Sequence, residues 1–159
     1  MATRFSNSVS LKAAEKGTNY SITLVCCTSY NDKENTGGIS IQCLENTQLS
    51  TCMTVSDETL QSASLQCVRQ AFILARKAGA TSVRIAIDSD YIYNVYTKSL
   101  ENWKKCNYIL SSGKKVANLD LILDIDQKCS DIQTQFQLLK QNDVYIITGK
   151  RLAKSVYTH

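Results

Sequence analysis

Apolar and polar positions follow two different rhythms along this chain. "YSITLVCC" (20–27) is dense in apolar and β-branched residues, which predicts a buried strand. After the polar turn "TSYNDKENTGG", "ISIQC" alternates as a second strand, giving a hairpin with a long loop, and "STCMTV" (50–55) predicts a third. From "SDETLQSASLQCVRQAFILARKAG" the period lengthens. Leu60, Ser64, Cys67, Val68, Ala71, Leu74 and Ala75 share one predicted helical face, with acids Asp57 and Glu58 at its positive end and Gly79 as the stop. "SVRIAID" predicts a fourth strand. "DYIYNVY" follows as a helix, with Ile92, Val95 and Tyr96 at i, i+3, i+4 spacing. Beyond a lysine-rich stretch, "NLDLILDIDQKC" predicts an amphipathic helix, "DVYIIT" a fifth strand and "KRLAKSVY" a short last helix.

The order β-β-β-α-β-α-α-β-α implies an α/β domain: a mixed sheet with an antiparallel meander of three strands, then two parallel strands, and helices on both faces. At 159 residues the chain is read as one such domain over 19–159. Residues 1–18, serine-rich with early basic residues, are read as a flexible N-terminal arm. Glu15, and the lack of an arginine-rich amphipathic pattern, argue against a mitochondrial presequence.

Composition changes this picture in two places. The seven cysteines (26, 27, 43, 52, 67, 106, 129) contain no C-x-x-C and mostly sit inside apolar patterns. They read as small buried hydrophobes in a reducing compartment, nucleus or cytoplasm, rather than as a disulfide framework. With His159 as the single histidine, a zinc site is not expected. No run of 18 apolar residues occurs, so no membrane span is expected. The net charge is +4, and a surplus of that size resides between Lys98 and Lys115, where five lysines face one acid, Glu101. Such a run is either a solvated loop or a site for a polyanion, and Trp103 inside it favours the polyanion.

Asp88 stands at the changeover from the fourth strand to the next helix, where α/β folds place chemistry. The stretch around it, "DSDYIYNVYTKSLENWKKCNYILSSGKKVANLDL" (88–121), resembles ribonuclease H of type 1. It carries that family's strand-4 Asp-Ser, the W-K-K of its basic handle, the S-x-G-K turn and the V-x-N before the following helix. The likeness extends back through "LVCCTSYNDKENTGGISI" and "LQSASLQCVRQAFILARKAG" and forward to "DVYIITGKRLAKS", about residues 20–155. It implies the RNase H fold and, for active members, hydrolysis of the RNA strand of an RNA–DNA hybrid by two Mg²⁺ ions held on four carboxylates.

Carried across residue by residue, the resemblance places those four positions at Leu24, Ser64, Asp88 and Lys150, so that one carboxylate survives. Asp57 lies about 10 Å from Ser64 along the helix axis, too far to share a metal. Asp120, Asp124 and Asp126 read as a solvated helix face. No metal and no cofactor are therefore expected, with Mg²⁺ entering only if the site is rearranged. On the binding surface the resemblance assigns Thr59 and Asn118 to a DNA-strand phosphate, Gln61 to the RNA minor groove and Trp103 to the DNA channel. Lys104, Lys105, Lys114 and Lys115 join them in the basic handle. Asp57 and Ser99 depart from the family pattern there, and Trp103 and Asn118 also have plain structural readings, as an anchor and a helix cap.

The reading taken from these residues is a catalytically inactive RNase H-like protein, not an enzyme, serving as a scaffold or adaptor for a protein partner in a nucleic-acid-handling complex. The alternatives are a module that binds RNA–DNA hybrid or double-stranded RNA through segment 98–115 without cutting it, and an active Mg²⁺-dependent hybrid ribonuclease with a rearranged site. A carboxylate without metal needs a counter-charge, and Lys150 is the candidate for Asp88.

Overall fold

The computed structural model describes residues 19–56 and 59–158. The N-terminal arm, Asp57, Glu58 and His159 lie outside the described residues. Strand β1 (Ser21–Asn31) pairs antiparallel with β2 (Thr36–Cys43), and β2 with β3 (Thr51–Ser56). After helix α1 (Leu60–Lys77), strand β4 (Ser82–Ile87) returns parallel to β1, and β5 (Gln133–Leu138) runs parallel to β4. The sheet order is β3-β2-β1-β4-β5, the mixed architecture expected.

Alternation along β1 sorts its side chains between two cores. Ile22, Leu24 and Cys26 join the larger cluster with Leu65, Cys67, Val68, Ala71 and Phe72 of α1. Val25 and Cys27 point the other way, to Ala86 and Ile146. A strand buried on both faces reads as a continuous apolar run, which is why "ITLVCC" shows no alternation. On α1 the buried stripe is Ala63, Cys67, Val68, Ala71, Phe72 and Ala75, joined by Leu65. It is rotated from the predicted face: Leu60 is half exposed at 50%, and Ser64 sits at the margin.

Helix α2 (Asp90–Asn94) continues through a π-helical turn (Val95–Ser99) into α3 (Leu100–Lys105), so the first half of the lysine segment is helical rather than loop. The remainder is a tight excursion, closed by a bridge between Ile109 and Lys115, that leads into α4 (Leu119–Asp131). Asn107, Tyr108 and Gly113 have positive φ there.

The fifth strand requires correction. "DVYIIT" is the start of helix α5 (Val144–Ser155), and the strand is the preceding "QTQFQL". β-branched composition suggested a strand at 143–148. The burial of Ile146, Gly149 and Ala153 has helical spacing instead, and Asp143 caps the helix by accepting the Tyr145 N–H at 2.8 Å. β5 reads poorly because it is an edge strand that alternates glutamines, all exposed, with only half-buried residues, and its last residue, Leu138, is exposed too.

Helix α5 lies close against β1 and β2, and two glycines permit this. A Cβ on Gly38 would come within 1.8 Å of the Ala153 carbonyl, and one on Gly149 within 2.4 Å of Cys27 Sγ. Ser40 Oγ, fully buried, donates to the Gly149 carbonyl at 2.7 Å, and Gln42 Nε2 donates to that of Tyr145 at 2.8 Å.

Candidate functional site

At the C-terminal end of β4, beside the middle of the longer strand β1, elements from both sides of the sheet converge. Cys26, Thr28, Ser64, Asp88 and Ser89 line one small cavity beneath the rim, so Ser64 and Asp88 are brought together as expected. Ser89 starts α2 by accepting the Ile92 N–H at 3.2 Å, which turns the chain directly after Asp88. From the opposite side α5 delivers Lys150, whose Nζ stands 2.9 Å from Asp88 Oδ2. The counter-charge expected of Lys150 is present.

Leu24 is misplaced in the sequence reading. It is fully buried against α1 and pairs with Ile85, three residues before Asp88, or about 10 Å along the strand. Continuing the parallel register brings Cys27 level with Asp88 instead, and Cys27 feels the charges of both Asp88 and Lys150. Burial pushes the Cys27 thiol up to about 12; Cys67 and Asp88 add to the shift and Lys150 opposes it. Cys26 is raised as well, by its hydrogen bond with Cys67 and by burial. Both stay protonated at neutral pH and offer neither a thiolate ligand nor a nucleophile.

Sequence reasoning also missed Gln141. Its Oε1 accepts from Lys150 Nζ at 2.6 Å while its Nε2 donates to the Asp88 carbonyl at 3.3 Å. The only advance signal was its position just before the Asp143 cap, which predicts no contact with Asp88.

Among the described residues the rim set is thus one carboxylate already paired with an ammonium, together with protonated thiols and hydroxyls. Two hard cations need several carboxylate oxygens to balance their charge, and these residues do not fit that requirement. Among the described residues no group of three or more His, Cys, Asp or Glu is placed to hold a metal. A hydrolytic step through a divalent ion therefore does not follow from this donor set. Two of the α4 acids are engaged elsewhere, Asp124 with Lys128 at 3.2 Å and Arg69 at 3.9 Å and Asp126 with Lys104 at 3.3 Å, while Asp120 is exposed.

The expected binding residues are spread more widely. Thr59 and Gln61 are exposed at the start of α1, where Thr59 Oγ1 accepts the Ser62 N–H at 3.1 Å as the helix cap. Trp103 is half-buried and packed against the main core, so it anchors α3. Asn118 makes no side-chain cap bond; it adopts a left-handed conformation (φ 59°) and leaves its amide uncommitted to α4. Lys104 is partly neutralised by Asp126 and by Glu101 at 3.8 Å. Its hydrogen bond and charge contact with Asp126 raise its pKa. Among the described residues Lys105, Lys114 and Lys115 are exposed and make no ion pair, which leaves the handle cationic.

The family model for RNase H matches residues 19–142. A "Ribonuclease HI" of Pasteurella multocida (strain Pm70) is 38% identical over 65 residues, 41% of this chain and 42% of that relative's length. In structure, the foamy viral protease–reverse transcriptase solved in complex with dsDNA is similar with a TM-score of 0.70 at 19% identity, covering 88% of this chain and 96% of that one. The same protein in complex with RNA/DNA hybrid gives 0.64 at 18%, covering 87% and 19%. LC9-RNase H1, a type 1 RNase H with the type 2 active-site motif, gives 0.69 at 16%, covering 87% and 72%. These comparisons overturn the expectation of a non-enzymatic scaffold or adaptor. The matching family model and relatives named ribonuclease point to an enzyme class, and nothing in them supports an adaptor role.

Proposed function

Because this chain belongs to the RNase H family, we propose that it is a ribonuclease H-type protein whose ligand is an RNA/DNA hybrid, with hydrolysis of the RNA strand as the class activity. The observation that carries this is the family match over residues 19–142, together with the name of the Pasteurella relative. The aligned region spans 42% of that relative's length, so the substrate assignment is part of the proposal.

The surface is suited to such a ligand. Exposed Lys105, Lys114 and Lys115 form a cationic handle beside Trp103, and Thr59 and Gln61 are exposed at the start of α1. Asn118, with its side chain uncommitted to the α4 cap, completes the proposed polar contacts. Clustered lysines of this kind release counterions from a phosphate backbone.

Titration of a short labelled hybrid across a salt series tests the proposal. Binding at low salt that weakens log-linearly with salt is the expected result; no binding at low salt sinks it. RNA-strand cleavage scored in the same mixtures measures the activity that the relative's name carries.

A further inference from the structure

The side chain of Asp88 is only 14% exposed, and a carboxylate so far from water needs a cation or several donors. The fold supplies that cation from its own chain. Gly38 and Gly149 let α5 approach the sheet, and the residue next to Gly149 is Lys150. Its ammonium reaches Asp88 at 2.9 Å and Gln141 at 2.6 Å, and Gln141 closes the ring onto the Asp88 carbonyl at 3.3 Å. Three segments that meet at the rim are joined through one charged nitrogen: the end of β4, the 139–143 connection and α5. An ammonium has three N–H donors, and this ring uses two of them. The Lys150 side chain is 43% exposed, so the third faces an open rim.

We infer that Lys150 is a built-in cation that takes, at Asp88, the place a divalent ion would need, and that it offers its remaining N–H to a backbone phosphodiester of bound nucleic acid. The phosphate contact rests on the proposed hybrid ligand; the built-in cation does not. A tethered ammonium satisfies Asp88 with a single charge and requires no further carboxylates, which matches the donor set at the rim. It also makes the site indifferent to Mg²⁺.

The test combines thermal melts of the full chain, with EDTA or millimolar MgCl₂ at matched ionic strength, with hybrid titrations across salt. The wild-type Tm is expected not to change with Mg²⁺. Lys150→Met lowers Tm and makes the log Kd versus log salt slope shallower, by less than the roughly 0.9 of an uncompensated phosphate contact because Asp88 already offsets part of the lysine's charge; Lys150→Arg retains the slope. Should Lys150→Met not fold, the Asp88→Asn/Lys150→Met double variant removes both charges without stranding either and shows the same loss of slope. A Mg²⁺-dependent rise in wild-type Tm overturns the built-in cation while leaving hybrid binding intact. An unchanged slope in the Lys150 variants overturns the phosphate contact. Absence of wild-type binding at low salt overturns that contact together with the proposed function, so the failures are distinguishable.

Discussion

Cys27 shows how one residue's chemistry is set by what surrounds it. It stands level with Asp88, yet burial, with Cys67 and Asp88 beside it, pushes its thiol up to about 12 and keeps it protonated. Its thiol reaches the Ile146 carbonyl at 3.8 Å and acts as packing under α5. Cys26, Cys43 and Cys67 are likewise buried, whereas Cys52 and Cys106 are exposed. Alkylation of the native protein at neutral pH should therefore modify Cys52 and Cys106 first and leave Cys26, Cys27, Cys43 and Cys67 unmodified until the chain is unfolded. Peptide mapping after timed quenching reads the order directly. Early modification of Cys27 would contradict the buried, protonated thiol and with it the close seating of α5.

At the scale of the element, α5 is held by contact geometry rather than by helix propensity. Gly38→Ala places a methyl group 1.8 Å from the Ala153 carbonyl, against rigid backbone, and should cost about 1–3 kcal/mol or more in denaturant unfolding. Gly149→Ala meets the Cys27 side chain at 2.4 Å, a softer neighbour, and Cys27→Ala should recover part of its cost. Additive effects in that double-mutant cycle would mean that the two residues do not touch. Ser40→Ala removes a fully buried donor to the Gly149 carbonyl, with an expected loss of about 1 kcal/mol. These contacts have their consequence at the rim, because α5 carries Lys150.

For the whole molecule the relevant quantity is the distribution of charge. The net +4 is concentrated in the handle, but not every lysine there is available. Lys104 is drawn to Asp126 and Glu101, whereas Lys105, Lys114 and Lys115 are exposed. Neutralising Lys105, Lys114 and Lys115 together should weaken hybrid binding and make its salt slope shallower by about 0.9 for each phosphate that is no longer neutralised. Lys104→Gln should change the slope less, because its charge is already compensated. Equal effects from all four lysines would show that the Asp126 pairing does not persist in solution.

The local pattern of this chain was sufficient for the strand-helix order through β4, the mixed sheet, and Asp88 at a strand end, because burial imposes a period on residues close in sequence. Ser64 and Lys150 were reached through the family resemblance instead, and the structure places both beside Asp88. The local pattern failed at β5, where an edge strand of alternating glutamines buries little, and at "DVYIIT", where β-branched content competed with a helical face defined only by the sheet beneath it. It failed at Leu24 for a different reason. In a strand buried on both sides, no local signal says which residue stands level with Asp88; that depends on the register between β1 and β4, segments about sixty residues apart in the chain. The ring from Asp88 through Lys150 and Gln141 is likewise a product of packing alone. Sequence determined which charges the chain possesses, and only the approach of α5 across Gly38 and Gly149 decided which of them meet.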